Sequence, residues 1–97
     1  MRYVTLSAGY TEPSLLDEAC GPLDVRRAGI SEELTGRIIA WNEEYQVVIP
    51  REPAEREEMT DLIERLDASG IALAREVQLE LAPAKVRYYS EGRLRYR

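Results

Sequence analysis

The side chains of this sequence that could carry chemistry are carboxylates, tyrosines, arginines and one thiol. Histidine is absent from the 97 residues, which removes the commonest general base and metal ligand. The single cysteine, Cys20, excludes an internal disulfide and a cysteine-rich zinc site, and its acidic neighbours disfavour a reactive thiolate. The sequence also lacks a glycine-rich phosphate loop and the regular acidic spacing of a calcium loop. We therefore expect no cofactor and no metal.

The carboxylates do not form an obvious catalytic pair. Adjacent residues such as Glu57 and Glu58 do not face each other on a helix. Glu57 and Asp61 could share a helix face, but Arg65 extends that face as a solvated ladder of alternating charge. Acid–base catalysis needs a buried carboxyl group, and none of them is flanked by enough apolar residues to predict one. We expect that the protein is not an enzyme.

The charge is unevenly distributed along the chain. The formal net charge is −5. Residues 31–82 contain thirteen acidic residues and five arginines, whereas residues 85–97 contain five basic residues and one acidic residue. No apolar run is long enough to span a membrane and the first residues do not resemble a signal peptide, so we expect a cytoplasmic location.

The acidic middle of the chain is a candidate binding surface. Its members cluster at the end of one predicted helix and the start of the next: Glu43, Glu44, Glu57, Glu58, Asp61 and Glu64. A rigid anionic patch complements a basic protein surface and accelerates encounter with it. The alternative is a face that only keeps the protein soluble.

The basic tail suggests a second candidate surface. Aromatic and cationic residues would alternate on one sheet face: Tyr3, Arg87, Tyr89, Arg93 and Arg95. Single-stranded nucleic-acid binders use such a face for base stacking and phosphate contact. The alternative is an ordinary solvated sheet face, which the acidic helices favour because they would repel nucleic acid.

The first thirty residues predict a strand followed by a loop. Alternation over residues 2–8 predicts a half-buried strand with Val4, Leu6 and Ala8 inside. Residues 10–30 keep no apolar period, and they predict a long loop with one short helical turn over residues 14–19.

Ser31 is a good N-cap for the helix that follows. The apolar residues of that helix recur every three or four positions: Leu34, Ile38, Trp41, Tyr45 and Val48.

A second apolar stripe continues without change of phase from Met59 to Leu81 and predicts one helix over residues 54–81. Gly70 lies on this stripe. We expect the first helix to approach closely there, with Trp41 largely buried. Two alternatives remain open, namely a break at Ser69-Gly70 and an alternating strand over residues 77–81.

The last residues predict a β-hairpin. Residues 85–89 and 93–97 both alternate, and Ser90-Glu91-Gly92 would join them through a three-residue turn. The order β-α-α-β-β over residues 1–97 predicts a single α+β domain with two layers. Two helices would cover a small antiparallel sheet made of the N-terminal strand and the hairpin. The lysine and arginines of the hairpin would then share one face, with Val86, Tyr88, Leu94 and Tyr96 on the other.

The first predicted helix also carries a recognisable pattern: Gly29-Ile30-Ser31-Glu32-Glu33-Leu34, then Ile38, then Ala40-Trp41-Asn42-Glu43-Glu44-Tyr45. It resembles a leucine-serine, leucine, alanine-tryptophan helix shared by small acidic proteins of GC-rich bacteria, a family with no settled activity. Gly70, Leu73 and Ala74, with Val86-Arg87-Tyr88-Tyr89, resemble the rest of that pattern. The chain departs from it in lacking phenylalanine and in residues 10–28. The resemblance implies a small non-enzymatic bacterial protein, and immunity proteins are similar in size and acidity.

These observations favour a small binding protein, such as an immunity protein or inhibitor, that blocks a basic protein partner, for example a toxin, with its acidic helices. The alternative is a module that binds single-stranded nucleic acid.

Overall fold

The computed structural model describes residues 2–97, which form five strands, two long helices and several short turns. The strands are β1 (Tyr3–Ser7), β2 (Ser14–Asp17), β3 (Gly21–Leu23), β4 (Lys85–Ser90) and β5 (Arg95–Tyr96). The helices are α1 (Glu32–Tyr45), the single turn α2 (Pro53–Arg56) and α3 (Thr60–Glu80), with 3-10 turns at Val25–Arg27 and Glu57–Met59. The predicted α+β class, with two long helices on a small sheet, is confirmed.

The sheet has the order β3-β2-β1-β4-β5 and is mostly antiparallel. The exception is its centre, where β1 pairs in parallel with β4 and Leu6 lies opposite Tyr88. A parallel pair needs a long crossover, and here the crossover contains both long helices. The helices cover one face of the sheet. The other face is open to solvent, and Tyr3, Leu16 and Tyr96 are about half exposed on it.

Helix α1 begins and packs as its sequence predicts. The Ser31 hydroxyl accepts the Leu34 N–H at 3.2 Å, which caps the first turn. All five residues of the predicted apolar stripe are buried: Leu34, Ile38, Trp41, Tyr45 and Val48. Trp41 is 5% exposed, and its indole N–H donates to the Leu66 carbonyl of α3 at 2.9 Å. This bond fixes how the two long helices pack together.

Helix α3 continues through Gly70 without a break, as the apolar stripe predicts, and neither alternative for this region occurs. The predicted start of this helix at residue 54 was wrong, because residues 53–59 form α2 and a 3-10 turn before α3 begins at Thr60. The expectation that α1 approaches Gly70 was wrong. The neighbour is the ring of Tyr88 on β4, which a Cβ atom at Gly70 would overlap. Trp41 lies behind this ring, with the two ring centroids 5.9 Å apart. Gly70 therefore lets the helix lie against the sheet.

The interpretation of residues 10–30 as a long loop with a helical turn at residues 14–19 was wrong, because this segment forms β2, β3 and a 3-10 turn. Both strands are too short to show a period. The inward positions of β2 are Leu15 and Asp17. Because Asp17 is charged, the alternation of apolar and polar residues that predicts a strand is absent. Asp17 is 3% exposed and accepts the Arg2 side chain at 2.7 Å, and this bond lowers the pKa of its carboxyl.

The predicted register of the C-terminal hairpin was also wrong. The connection is residues 91–94, and Tyr89 pairs with Tyr96 where the three-residue turn would have paired it with Arg93. Tyr96 therefore shares the open sheet face with Tyr89, with ring centroids 5.1 Å apart. Because side chains alternate along a strand, Arg95 and the C-terminal Arg97 turn toward the helices.

Among residues 2–97, no helix combines the length and the apolarity needed to cross a membrane. In the same part of the chain, no three Cys, Asp or Glu side chains group as a metal site would require.

Candidate functional site

Three loops meet at one end of the molecule, which we call the loop end. They are residues 8–13 after β1, residues 46–52 after α1 and residues 91–94 after β4. The parallel pairing of β1 and β4 places the first and third loops side by side, and side chains from the last turn of α1 contact both of them. The loop end is therefore built by the central strands of the sheet and the helix that covers them.

The last turn of α1 holds the loop after β1 through side-chain amides. Asn42 is buried; its side chain accepts the Gly9 N–H at 2.8 Å and donates to the Gly9 carbonyl at 3.1 Å. Gln46 donates to the same carbonyl at 2.8 Å and accepts the Thr11 N–H at 3.2 Å. These four bonds fix residues 9–11 against the helix.

Arg56 joins the other two loops. Its guanidinium donates to the Glu91 carbonyl at 2.6 Å, the Ile49 carbonyl at 2.8 Å and the Arg51 carbonyl at 2.9 Å. Because the guanidinium is planar and its donors point in fixed directions, three bonds hold the backbone of residues 49–51 and residue 91 in one arrangement.

A buried carboxylate lies beneath the third loop. Asp67 of α3 has no exposed surface, and it accepts the hydroxyls of Tyr88 at 2.6 Å, Ser90 at 2.7 Å and Tyr45 at 2.8 Å. The Arg97 guanidinium adds a longer contact of 3.3 Å. The expectation that no carboxylate is buried was therefore wrong.

Asp67 and the three hydroxyl residues that bind it, Tyr45, Tyr88 and Ser90, form what we call the Asp67 cluster. This cluster also holds the backbone of the loop above it. The Tyr45 hydroxyl accepts the Gly92 N–H at 2.8 Å, and the Ser90 hydroxyl accepts the Arg93 N–H at 3.0 Å. Burial raises the pKa of the Tyr45 and Tyr88 hydroxyls, and the hydrogen bonds to Asp67 raise it further. Both hydroxyls stay protonated and donate to Asp67. The carboxylate is saturated with donors, which suits a structural anchor rather than a general base.

Each loop of the loop end displays one large apolar side chain. Tyr10 is 73% exposed, Leu94 55% and Val47 50%. Two non-glycine residues in these loops have positive φ, namely Thr11 at 67° and Leu94 at 55°. Leucine rarely adopts this conformation, because its Cβ lies close to the backbone.

The six carboxylates of the predicted acidic surface are all exposed: Glu43, Glu44, Glu57, Glu58, Asp61 and Glu64. They do not all line one cavity. Glu57 lines a cavity of about 280 Å³ together with Thr60 and Leu94. Glu44 lines a separate groove of about 330 Å³ between α1 and α3, beside Trp41.

Glu64 differs from the other five because its charge is compensated. It binds Arg93 at 2.7 Å and Arg97 at 3.0 Å, and these arginines lower the pKa of its carboxyl, Arg97 most strongly. The other five carboxylates form no ion pair with any residue in the described part of the chain.

The aromatic and basic residues predicted as a nucleic-acid surface are divided between two sides of the sheet. Tyr3, Arg87 and Tyr89 lie on the open face, and Arg87 binds Glu18 at 2.7 Å and stacks 4.4 Å from the centre of the Tyr96 ring. Arg93 and Arg95 do not join them. Arg93 binds Glu64 on α3, and Arg95 lines the cavity beside Glu57.

Sequence reasoning missed the Asp67 cluster and the loops that it supports. One local signal was present, since Asp67 lies one turn after Ile63 and one turn before Gly70 on the apolar stripe of α3. A charged residue on such a stripe indicates a buried partner. The partners themselves lie more than twenty residues away in sequence.

These features define a small α+β protein whose described residues present a rigid, partly apolar and acidic end. The chain belongs to the Serratia CdiI immunity protein-like family, whose model matches residues 2–91. Membership indicates a protein-binding inhibitor of a class that is typically non-enzymatic, in agreement with the immunity-protein likeness seen in the sequence. No curated protein and no solved structure matched the chain.

Proposed function

We propose that this chain is an immunity protein that binds a toxin protein and blocks it, without a cofactor and in the cytoplasm. The observation that carries the proposal is the family match over residues 2–91, which includes every element from β1 to β4 and the three helices between them. The absence of histidine and the donor-saturated state of Asp67 agree with inhibition by binding rather than by catalysis.

The surface we propose for this binding includes the five unpaired carboxylates. They form no ion pair in the described structure, so they contribute to the negative field around the helices. A toxin that acts on an anionic substrate presents a basic cleft, and exposed carboxylates would attract that cleft at little cost in desolvation. Glu64 contributes less, because Arg93 and Arg97 already bind it.

The test uses the toxin domain of the protein that this chain captures from its native host, identified by mass spectrometry. The chain is expected to restore growth when it is produced together with that domain, and the two purified proteins are expected to form a complex. Because the attraction is electrostatic, the association rate should fall as salt is raised from about 0.05 M to about 0.5 M. An immunity protein of unrelated sequence is the control for growth. A chain that neither binds the toxin nor restores growth would refute the proposal.

A further inference from the structure

The loops that carry the exposed apolar residues of the loop end are tied to the end of α1. The Gln46 side chain accepts the N–H of Thr11, the residue after Tyr10. Gln46 also directly precedes Val47 in the chain, so this bond links the loops that carry Tyr10 and Val47. Leu94 lies on the loop whose Gly92 N–H donates to Tyr45, also at the end of α1. One helix end therefore holds three loops, and each loop presents an exposed apolar side chain.

The backbone strain at Leu94 is not offset by burial of its side chain. Its φ of 55° suits glycine, yet its side chain is 55% exposed and gains little burial. Strain of this kind persists where the surrounding structure enforces it, and it concentrates at binding sites. The enforcing contacts are present here, since the Asp67 cluster and Arg56 hold the backbone on the N-terminal side of Leu94.

The rigidity of the loop end favours binding of a folded partner. Side-chain hydrogen bonds from α1 fix residues 9–11, and Arg56 fixes residue 91 and residues 49–51. A surface that is already ordered loses little conformational entropy when it binds. Apolar side chains on ordered loops are therefore suited to act as anchors in a protein interface.

The charges around the loop end select the partner. Glu43 lies one turn before Val47, and Glu57 lines the same cavity as Leu94. Arg56 and Arg95 also line that cavity, but neither forms an ion pair with Glu57 in the described structure. A second copy of the chain would bring the same unpaired carboxylates against each other. A nucleic acid would bring phosphates against them. A protein surface with an apolar centre and basic residues around it avoids both repulsions.

We propose that Tyr10, Val47 and Leu94 form the apolar anchor with which this chain docks on the toxin, with Glu43 and Glu57 at its border. The inference rests on the proposed function and deepens it, because it assigns the centre of the interface to the loop end rather than to the helix surface.

The test compares four variants for binding to the same toxin domain, measured on a biosensor. Leu94→Gly removes the side chain and relieves the positive φ, Tyr10→Ala and Val47→Ala remove the other two anchors, and Leu79→Ala is the control. Leu79 is 78% exposed in the last turn of α3, at the opposite end of the molecule. We expect Leu94→Gly and Tyr10→Ala each to raise Kd by about tenfold or more, and Val47→Ala by about threefold. Leu79→Ala should stay within about twofold of the wild type.

Folding and binding are separable in this design. Leu94→Gly should leave the thermal midpoint unchanged or raise it, so its loss of affinity cannot come from unfolding. If the wild type fails to bind the toxin, the proposed function fails. If the wild type binds and all three loop-end variants bind equally well, the docking inference is overturned and the proposed function stands. A wild-type dimer that these variants dissociate would assign the loop end to a second copy and also overturn the inference.

Discussion

The aromatic ring of Tyr88 on β4 lies against the bare Cα of Gly70 in the middle of α3. The contact brings the helix close to the central strands, and it places the Tyr88 hydroxyl 2.6 Å from Asp67, one turn away on the same helix. Glycine is therefore required here for close approach rather than for backbone freedom.

Replacing Gly70 by Ala should destabilise the protein by about 1–3 kcal/mol, because the added methyl group would overlap the Tyr88 ring. The better helix propensity of alanine, about 1 kcal/mol, offsets only part of this loss. Gly36→Ala is the matched control. Gly36 is exposed in α1 and nothing would contact its Cβ, so this change should stabilise by about 0.5–1 kcal/mol. Urea unfolding followed by circular dichroism measures both, and equal effects at the two sites would contradict the close approach.

Replacing Asp67 by Ala should cost at least about 3 kcal/mol, because three buried hydroxyls would lose their acceptor. The amide protons of Gly92 and Arg93 should also exchange faster, since Tyr45 and Ser90 would no longer be fixed beneath them. Asp61→Ala, at an exposed position of the same helix, should change stability by less than about 0.5 kcal/mol. Slow exchange of both amides in Asp67→Ala would show that the turn does not depend on the cluster.

Stability should fall in both acid and alkali. The pKa values of Asp17, Glu64 and Glu76 are lowered by bound arginines, so their contribution is complete above the ordinary carboxyl pKa of about 4 and is lost as pH falls below it. The pKa values of Tyr45 and Tyr88 are raised by burial, so their contribution is complete below about pH 10 and is lost at higher pH. Thermal midpoints measured from pH 2 to pH 11 should show a plateau between these limits. A midpoint that does not change below pH 4 would mean that the ion pairs do not stabilise the fold.

Charge reversal of Glu57, Glu58 and Asp61 to Lys should slow association with the toxin by about tenfold or more. The same three changes to Ala should slow it less, because they remove attraction without adding repulsion. Glu64 is left out, since its reversal would break the pairs with Arg93 and Arg97. Glu32→Lys is the control, because Glu32 is an exposed carboxylate in the first turn of α1, away from the loop end. A triple Lys variant that associates as fast as the wild type would reduce these residues to a solubilising face.

Single-stranded oligonucleotides should not bind at physiological salt. Only Tyr3, Arg87 and Tyr89 of the five predicted contact residues share the open sheet face, and Arg87 is already bound by Glu18. Fluorescence anisotropy with labelled oligonucleotides of about 15 bases provides the measurement. A dissociation constant in the micromolar range or tighter, weakened by Arg87→Ala and by added salt, would favour nucleic acid as the partner.

The sequence predicts the elements whose pattern is local and long enough to repeat. The stripes of α1 and α3 span several turns, and β1 and β4 each show alternation, so all four were predictable. Strands β2 and β3 have four and three residues, and Asp17 occupies an inward position, so no period forms. The hairpin register depends on Leu94 at positive φ, a conformation that sequence patterns assign to glycine or asparagine.

The candidate site was less predictable than the fold because its parts meet only in three dimensions. The acidic residues were identifiable from composition, but the compensation of Glu64 depends on arginines about thirty residues away. The exposure of Tyr10, Val47 and Leu94 depends on which elements end together. The parallel pairing of β1 and β4 determines which elements end together. Alternation of apolar and polar residues along a strand does not show whether its partner is parallel or antiparallel.

The same parallel pairing sets when the protein becomes complete during its synthesis. The two central strands come from residues 3–7 and 85–90, so the sheet cannot close before the second of them has left the ribosome. Pairing of such distant segments is intrinsically slow, since a long loop must close first. A shorter nascent chain would leave one edge of β1 unpaired, with neither the Asp67 cluster nor the loop end in place. The loop end is therefore complete only after residues 85–90 have been synthesised and have paired with β1.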